Sequence, residues 1–210
     1  MSVPSTCRAA VVVDEGPAFF VKIEYVTVPE PGQDEVLLPL SASGVCYSDL
    51  HYMPNNTPTR PMSALGVSVS GHEGCGVVVK VRVGVSNLKI GDRAGVKPIW
   101  ATCGTCGSCL GDLETHCSRK LNTGLAVPGI FQEYVLADSK HAIHIPDGVP
   151  DYLAATLMCS GATAYRSVKS ANLAPATDVV VLGGAGSVGI QVVQVARALG
   201  PIVVDVGDDK

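Results

Sequence analysis

A surplus of positive charge is missing from this chain. Fifteen Lys and Arg against nineteen Asp and Glu leave a formal net charge of −4. Without a basic patch, nucleic acid and anionic membranes are excluded as expected partners. No apolar run reaches the length of a membrane span. The amino terminus, Met1-Ser-Val-Pro-Ser-Thr-Cys-Arg8, has no apolar core of a secretory signal. Internal repeats and low-complexity linkers are absent too. Lacking a secretion signal, the eight cysteines point to a reducing compartment, the cytosol, with thiolates used for metal. What remains, 47% apolar and 16% charged residues over 210 positions, is a globular chain with one large domain or one and a half ordinary ones.

Cysteine is abundant and unevenly placed. Cys103, Cys106, Cys109 and Cys117 follow the spacing C-x2-C-x2-C-x7-C, with Gly104, Gly107 and Gly111 between them for tight turns. Four thiolates at this spacing close one short lobe around a tetrahedral Zn²⁺. A disulfide pair and an iron–sulfur cluster are the alternatives: the first is disfavoured by the compartment, and the second is raised because three cysteines at x2 spacing also occur in ferredoxin-like sites.

The first half reads as β-rich. Strands are expected at 7–13, 21–28, 35–42, 74–81, 93–97, 132–136 and 142–145, separated by Gly, Pro and Asn clusters, as in a partly open barrel or sandwich. From Asp151 the pattern turns helical over 151–158 and 162–171, with Asp151 available as a cap. The run 178–182 is continuous and β-branched, which predicts a strand buried on both faces.

Directly after it, Gly184-Ala-Gly186-Ser-Val-Gly189 gives G-x-G-x-x-G at the opening of a helix expected to reach about Leu199, with Gln191, Gln194 and Arg197 forming a polar stripe. Gly200 ends that helix and 202–204 resumes a strand closed by Asp205. A strand, a glycine loop, a helix and an acidic residue about twenty positions on form the context of a dinucleotide site. The pyrophosphate would lie at the helix N-terminus and Asp205 would accept hydrogen bonds from ribose hydroxyls. A carboxylate there repels a 2′-phosphate, so NAD is expected over NADP; a glycine-rich turn in some other βαβ unit is the bland alternative.

Three further segments carry ligand-type residues: Cys46-Tyr-Ser48-Asp49-Leu-His51, Gly71-His72-Glu73-Gly-Cys75-Gly76 and Cys159-Ser-Gly-Ala-Thr163. Singly, each has a plain reading as core, and spacing cannot join them. Together with Gly91-Asp-Arg93, the cysteine lobe and the glycine loop, in this order, they resemble the zinc-dependent medium-chain alcohol dehydrogenases of the yeast and fungal type. That resemblance runs along essentially the whole chain. It implies a β-rich GroES-like catalytic domain over 1–160 and the first part of an α/β Rossmann domain over 161–210. It implies catalytic-zinc ligands Cys46, His72 and Cys159, a structural zinc in the cysteine lobe, and therefore two Zn²⁺ per chain beside NAD. Asp49 would orient His72, Glu73 would sit behind the metal, and Ser48 and His51 would relay the proton of an alcohol substrate. Thr163 would touch the nicotinamide side, and Lys210 is grouped with Gly184, Gly186, Gly189 and Asp205 as cofactor-binding. A homo-oligomer is the assembly similar fungal enzymes suggest.

Departures from the family pattern frame the alternatives. The sequence stops at Lys210 where the family continues for well over a hundred residues, so little activity is expected of these 210 residues by themselves. Tyr47 stands where a basic residue is usual, Cys75 where alanine is common, and Arg82 where a glycine at positive φ is expected. Gly200-Pro201-Ile202 makes a short return to the strand, 52–70 is irregular, and Trp100 is off the usual pocket position. An inactive zinc-binding remnant with an interaction role is the competing reading; a quinone reductase-like member is disfavoured, since such members usually lack the zinc ligands.

Overall fold

The computed structural model describes residues 2–174, 177–200 and 202–206. It divides into two compact units, Met1–Met158 and Cys159–Lys210. In chain order the strands of the first are β1 (Thr6–Val13), β2 (Phe20–Thr27), β3 (Glu35–Ser43), β4 (Gly74–Val77), β5 (Lys80–Val81), β6 (Arg93–Val96), β7 (Ile99–Ala101), β8 (Leu121–Asn122), β9 (Tyr134–Asp138) and β10 (Ile143–His144). Its short helices are α1 (Asp49–Tyr52), α2 (Gly107–Leu110) and α3 (Asp151–Thr156). β1 and β2 form a hairpin, β7 and β8 a second small ladder, and the other six strands one antiparallel sheet.

β3 is the spine of that sheet. Its first half pairs with β5 and β9, its second half with β4, and β6 and β10 continue beyond β4. Val36, Leu37 and Leu38 are fully buried, because alternate side chains enter different clusters. Val36 and Leu38 join Val78, Ala94, Val96 and Ile130, whereas Leu37 meets Cys7 and Val28. Each such leucine contributes ~1.5–3 kcal/mol through burial. The strand expected over 74–81 breaks in two at Val78, whose N–H turns to the Asp92 carbonyl at 2.8 Å. The positive φ expected at Arg82 falls instead on Gly84 (+100°), so Arg82 carries no such strain. α3 lies on β4, where Ala154, Ala155 and Met158 pack with Cys75 and Ile145. Asp151 is not its cap: Pro150 holds that position, and the Asp151 carboxylate is taken by Arg93.

The second unit holds α4 (Ala162–Ser170), β11 (Asp178–Leu182), α5 (Gly189–Ala198) and β12 (Ile202–Val206). β11 and β12 pair in parallel across α5, a βαβ unit in register from Asp178↔Ile202 to Leu182↔Val206. The expectation that this strand is buried on both faces is corrected within the unit. Val180 and Leu182 are 60% and 79% exposed, because α5 lies against β11 on one side and none of the described residues of the unit covers the other. The polar stripe of α5 is also less uniform than expected: Gln191 is half-buried and donates to Ser160 Oγ at 2.5 Å.

Candidate metal and dinucleotide sites

The cysteine lobe is built from turns. Cys106 precedes α2, Cys109 lies within it, and a 3₁₀ turn at Glu114–His116 delivers Cys117. None of the eight cysteines forms a disulfide. Sulfurs of Cys103 and Cys109 are 3.8 Å apart and those of Cys106 and Cys109 3.5 Å. Four sulfurs on a tetrahedron ~2.3 Å from a zinc ion are ~3.8 Å from one another, so the donor set fits a single Zn²⁺. All four sulfurs lie within 4.8 Å of each other. The Thr105 N–H pulls the Cys103 thiol down to about 5, while burial pushes Cys109 up to about 11.

A second donor group draws on three separate segments. Donor atoms of Cys46, His72, Glu73 and Cys159 lie within 4.8 Å of one another. Cys46 follows the end of β3, His72 and Glu73 run into β4, and the antiparallel pairing Ser43↔Gly74 brings those two stretches side by side. Cys159 directly follows Met158, in a π-helical turn, Leu157–Gly161, that continues α3. Gly44 makes the approach possible: its N–H donates to the Glu73 carbonyl at 2.7 Å, and any Cβ there would run into the Glu73 side chain.

Asp49 ties this group together. Its Oδ1 is 2.9 Å from His72 Nδ1, and its Oδ2 accepts the Cys46 N–H at 3.0 Å. Accepting from Nδ1 assigns the ring proton to that nitrogen and leaves the Nε2 lone pair for a cation. Both side chains are buried. Ser48 Oγ lies 3.7 Å from the Cys46 sulfur. Burial raises the Cys46 thiol, but the Ser48 N–H and hydroxyl and the nearby His72 outweigh it and set the balance below the ordinary value. His51 is half-buried, with Tyr47 edge-on at 4.9 Å between ring centroids. Two thiolates, an imidazole and a carboxylate suit zinc rather than a hard cation. A cleft of about 480 Å³, lined by Arg8, Ile23, Leu40, Phe131 and Glu133, lies apart from these donors, so donor chemistry marks this site rather than concavity.

Arg93 was not singled out as a supporting residue by the sequence. Its guanidinium reaches the Asp151 carboxylate and the Pro146 carbonyl, fastening β6 to the start of α3. Arg93 therefore steadies the helix that leads to Cys159. Gly91-Asp-Arg93 was visible in the sequence, but its partner 58 residues away was not.

In the second unit the glycine loop joins β11 to α5. Gly183, at φ +73°, makes the turn, and Gly189 opens α5 so close to the Gly183 carbonyl that a side chain would collide. Gly184 is buried, and the Gly186 N–H donates to Gly183 O at 3.0 Å. Asp205 stands opposite Val181 in β12, so its backbone and the loop share the C-terminal end of the parallel pair. Thr163 is exposed in the first turn of α4. Lys210 lies outside the described residues.

A family model described as the alcohol dehydrogenase GroES-like domain matches residues 32–147. An alcohol dehydrogenase of Schizosaccharomyces pombe is 42% identical over the whole chain, which covers 60% of that relative. Among solved structures, acetophenone reductase from Geotrichum candidum in complex with NAD superposes with a TM-score of 0.81 at 32% identity, over 98% of this chain and 59% of that one. A cobalt- and zinc-bound thermostable alcohol dehydrogenase from Pyrobaculum aerophilum gives 0.85 at 29% identity, over 98% and 60%. The chain thus spans about 60% of the length of the S. pombe relative.

Proposed function

Because the chain belongs to the alcohol dehydrogenase GroES-like family, we propose that it is the zinc-holding catalytic part of an NAD-dependent alcohol dehydrogenase, interconverting alcohols with aldehydes or ketones. The convergence of Cys46, His72, Glu73 and Cys159 donor atoms within 4.8 Å carries this reading. Cys46, His72 and Cys159 would hold one zinc and the four-cysteine lobe a second. The first, when bound, supplies a Lewis acid that makes an alcohol hydroxyl acidic near neutral pH. Asp49 fixes the imidazole and the Cys46 backbone, so the donors are preorganised. Ser48 would take the proton of the substrate hydroxyl as it gives up its own to the relay, and His51 would pass that proton to solvent. Glu73 lies beside the ligands as a nearby carboxylate. The loop at Gly184, Gly186 and Gly189 with the N-terminus of α5 receives the pyrophosphate of NAD, Asp205 its ribose, and Thr163 its nicotinamide side.

The test follows NADH absorbance with primary and secondary alcohols, beside metal analysis. Alcohol-dependent NADH formation that His72→Ala abolishes is expected of the protein at its relatives' length. A wild type that holds no metal at Cys46, His72 and Cys159, or turnover indifferent to His72→Ala, overturns the proposal.

A further inference from the structure

Gln191 lies where the two functional segments of the second unit meet. It stands two residues past Gly189 in the first turn of α5, where its N–H donates to the Val188 carbonyl at 3.1 Å. Its side chain leaves the helix and donates to Ser160 Oγ at 2.5 Å. Ser160 is buried and directly follows Cys159 in the π-helical turn Leu157–Gly161. Both residues belong to the unit that begins at Cys159, so the contact is internal to it. One bond thus ties the glycine-loop helix to a residue 31 positions back, beside Cys159.

Packing alone does not account for an amide at this place. Its Oε1 is buried and has no hydrogen-bond partner among the described residues. A buried acceptor left unpaired is costly, and an apolar side chain of the same shape avoids that cost. Methionine or leucine would serve the packing better. The bond that the amide does make is directional and falls on Ser160. π turns are short and frequent at functional sites; this one is held from the α5 side by that bond.

We propose that Gln191 is a positioning residue that couples the two sites: through Ser160 it holds the Cys159 sulfur in place when a dinucleotide docks on the first turn of α5. The inference rests on the reading that Cys159 ligates zinc and that the α5 N-terminus receives the pyrophosphate. A pyrophosphate drawn to that N-terminus fixes the first turn. With the turn fixed, Gln191 and Ser160 are fixed too, and Cys159 has less freedom to lose on meeting the ion. Such coupling is reciprocal: by whatever factor NAD tightens zinc, zinc tightens NAD by the same factor. Gln194, three residues on, is exposed and donates to the Ile190 carbonyl of its own helix at 3.1 Å, so it has no share in this connection.

Two titrations of the whole protein read the coupling. Zinc affinity at Cys46, His72 and Cys159 comes from competition with a chromogenic chelator, with and without saturating NAD. NAD affinity comes from fluorescence, with that zinc present and removed. In the wild type each ligand should tighten the other by the same factor, about fivefold or more. Gln191→Met keeps the length of the side chain and removes the bond. Both factors should vanish in it, while Tm stays at or above the wild-type value. Ser160→Ala reaches the same bond from the other side and decides the case if Gln191→Met folds poorly; the double variant should lose nothing more than either single one. Ser160→Thr, which keeps the hydroxyl, and Gln194→Met should couple as the wild type does. A merely structural role for Gln191 would lower Tm and both affinities and leave the factors unchanged. That result, or a Gln191→Met that couples as the wild type does, overturns the proposal. Zinc and NAD that both bind the wild type, but independently, remove this inference alone; a wild type that binds neither removes the proposed function as well.

Discussion

Asp49 holds two ligand segments at once, with one carboxylate oxygen on His72 and the other on the Cys46 N–H. Asparagine has the same shape but a single acceptor oxygen. In Asp49→Asn one of those two buried N–H groups therefore faces an amide NH₂, at a cost of ~1–3 kcal/mol. Zinc at Cys46, His72 and Cys159 should bind ~10–100-fold more weakly, read by chelator competition, while the cysteine lobe keeps its metal. Unchanged affinity would remove Asp49 from its positioning role. Asp151 carries a second prediction. The hydrogen bond from Arg93 holds its carboxyl below the ordinary carboxylate value. A folded-state value below the unfolded ~3.9 gives stability that is present above about pH 4 and lost as pH falls through the folded value. Asp151→Asn should lower Tm at neutral pH, and the gap to wild type should close in that acid range. A gap that widens on acidification contradicts the pairing.

At the scale of elements, legibility followed periodicity. The strands expected at 7–13, 21–28, 35–42 and 93–97 lie within one or two residues of β1, β2, β3 and β6, because their alternation is set by a sheet with one or two apolar faces. α1, α2, β7 and β8 were not legible. Each is two to four residues long, too short for a period, and is fixed by turns and by neighbours distant in sequence. The continuous apolar run of β11 suggested burial on both faces, yet burial depends on what lies against the strand and not on its own composition. The cysteine lobe could be read from spacing alone, since its four donors fall within fifteen consecutive residues. The Cys46, His72 and Cys159 group could not: only the Ser43↔Gly74 register and the turn after α3 bring those segments together, and resemblance alone linked them in the sequence. The βαβ unit supports the third prediction. Its parallel register puts Asp205 at the loop end of β12. NAD should bind more tightly than NADP, and Asp205→Ser should narrow the difference at least tenfold in fluorescence titrations. A wild type that binds both dinucleotides equally well would refute the role.

The molecule as a whole would carry its two metals under different obligations. The sheet has its own core in Val36, Leu37, Leu38 and their neighbours, so it should fold without a cation. The cysteine lobe has no such core: Leu110 and Leu113 are exposed, and of its four sulfur-bearing residues only Cys117 is buried. With zinc held there as proposed, its order would depend on the ion that four thiolates enclose, and metal affinity there would be local folding energy. If Cys46, His72 and Cys159 hold their ion as proposed, with Glu73 beside them and not bound, one coordination position would stay open and the ion would be more accessible to a competing ligand. A chromogenic chelator should accordingly release zinc in two phases. The faster phase should be missing from His72→Ala, which retains one zinc, and should leave resistance to trypsin unchanged. The slower phase should coincide with new cleavage at Arg119 and Lys120, just past Cys117, while the far-ultraviolet signal of the sheet persists. Release of both metals in one phase, or two zincs retained by His72→Ala, would show that the two sites are not divided in this way.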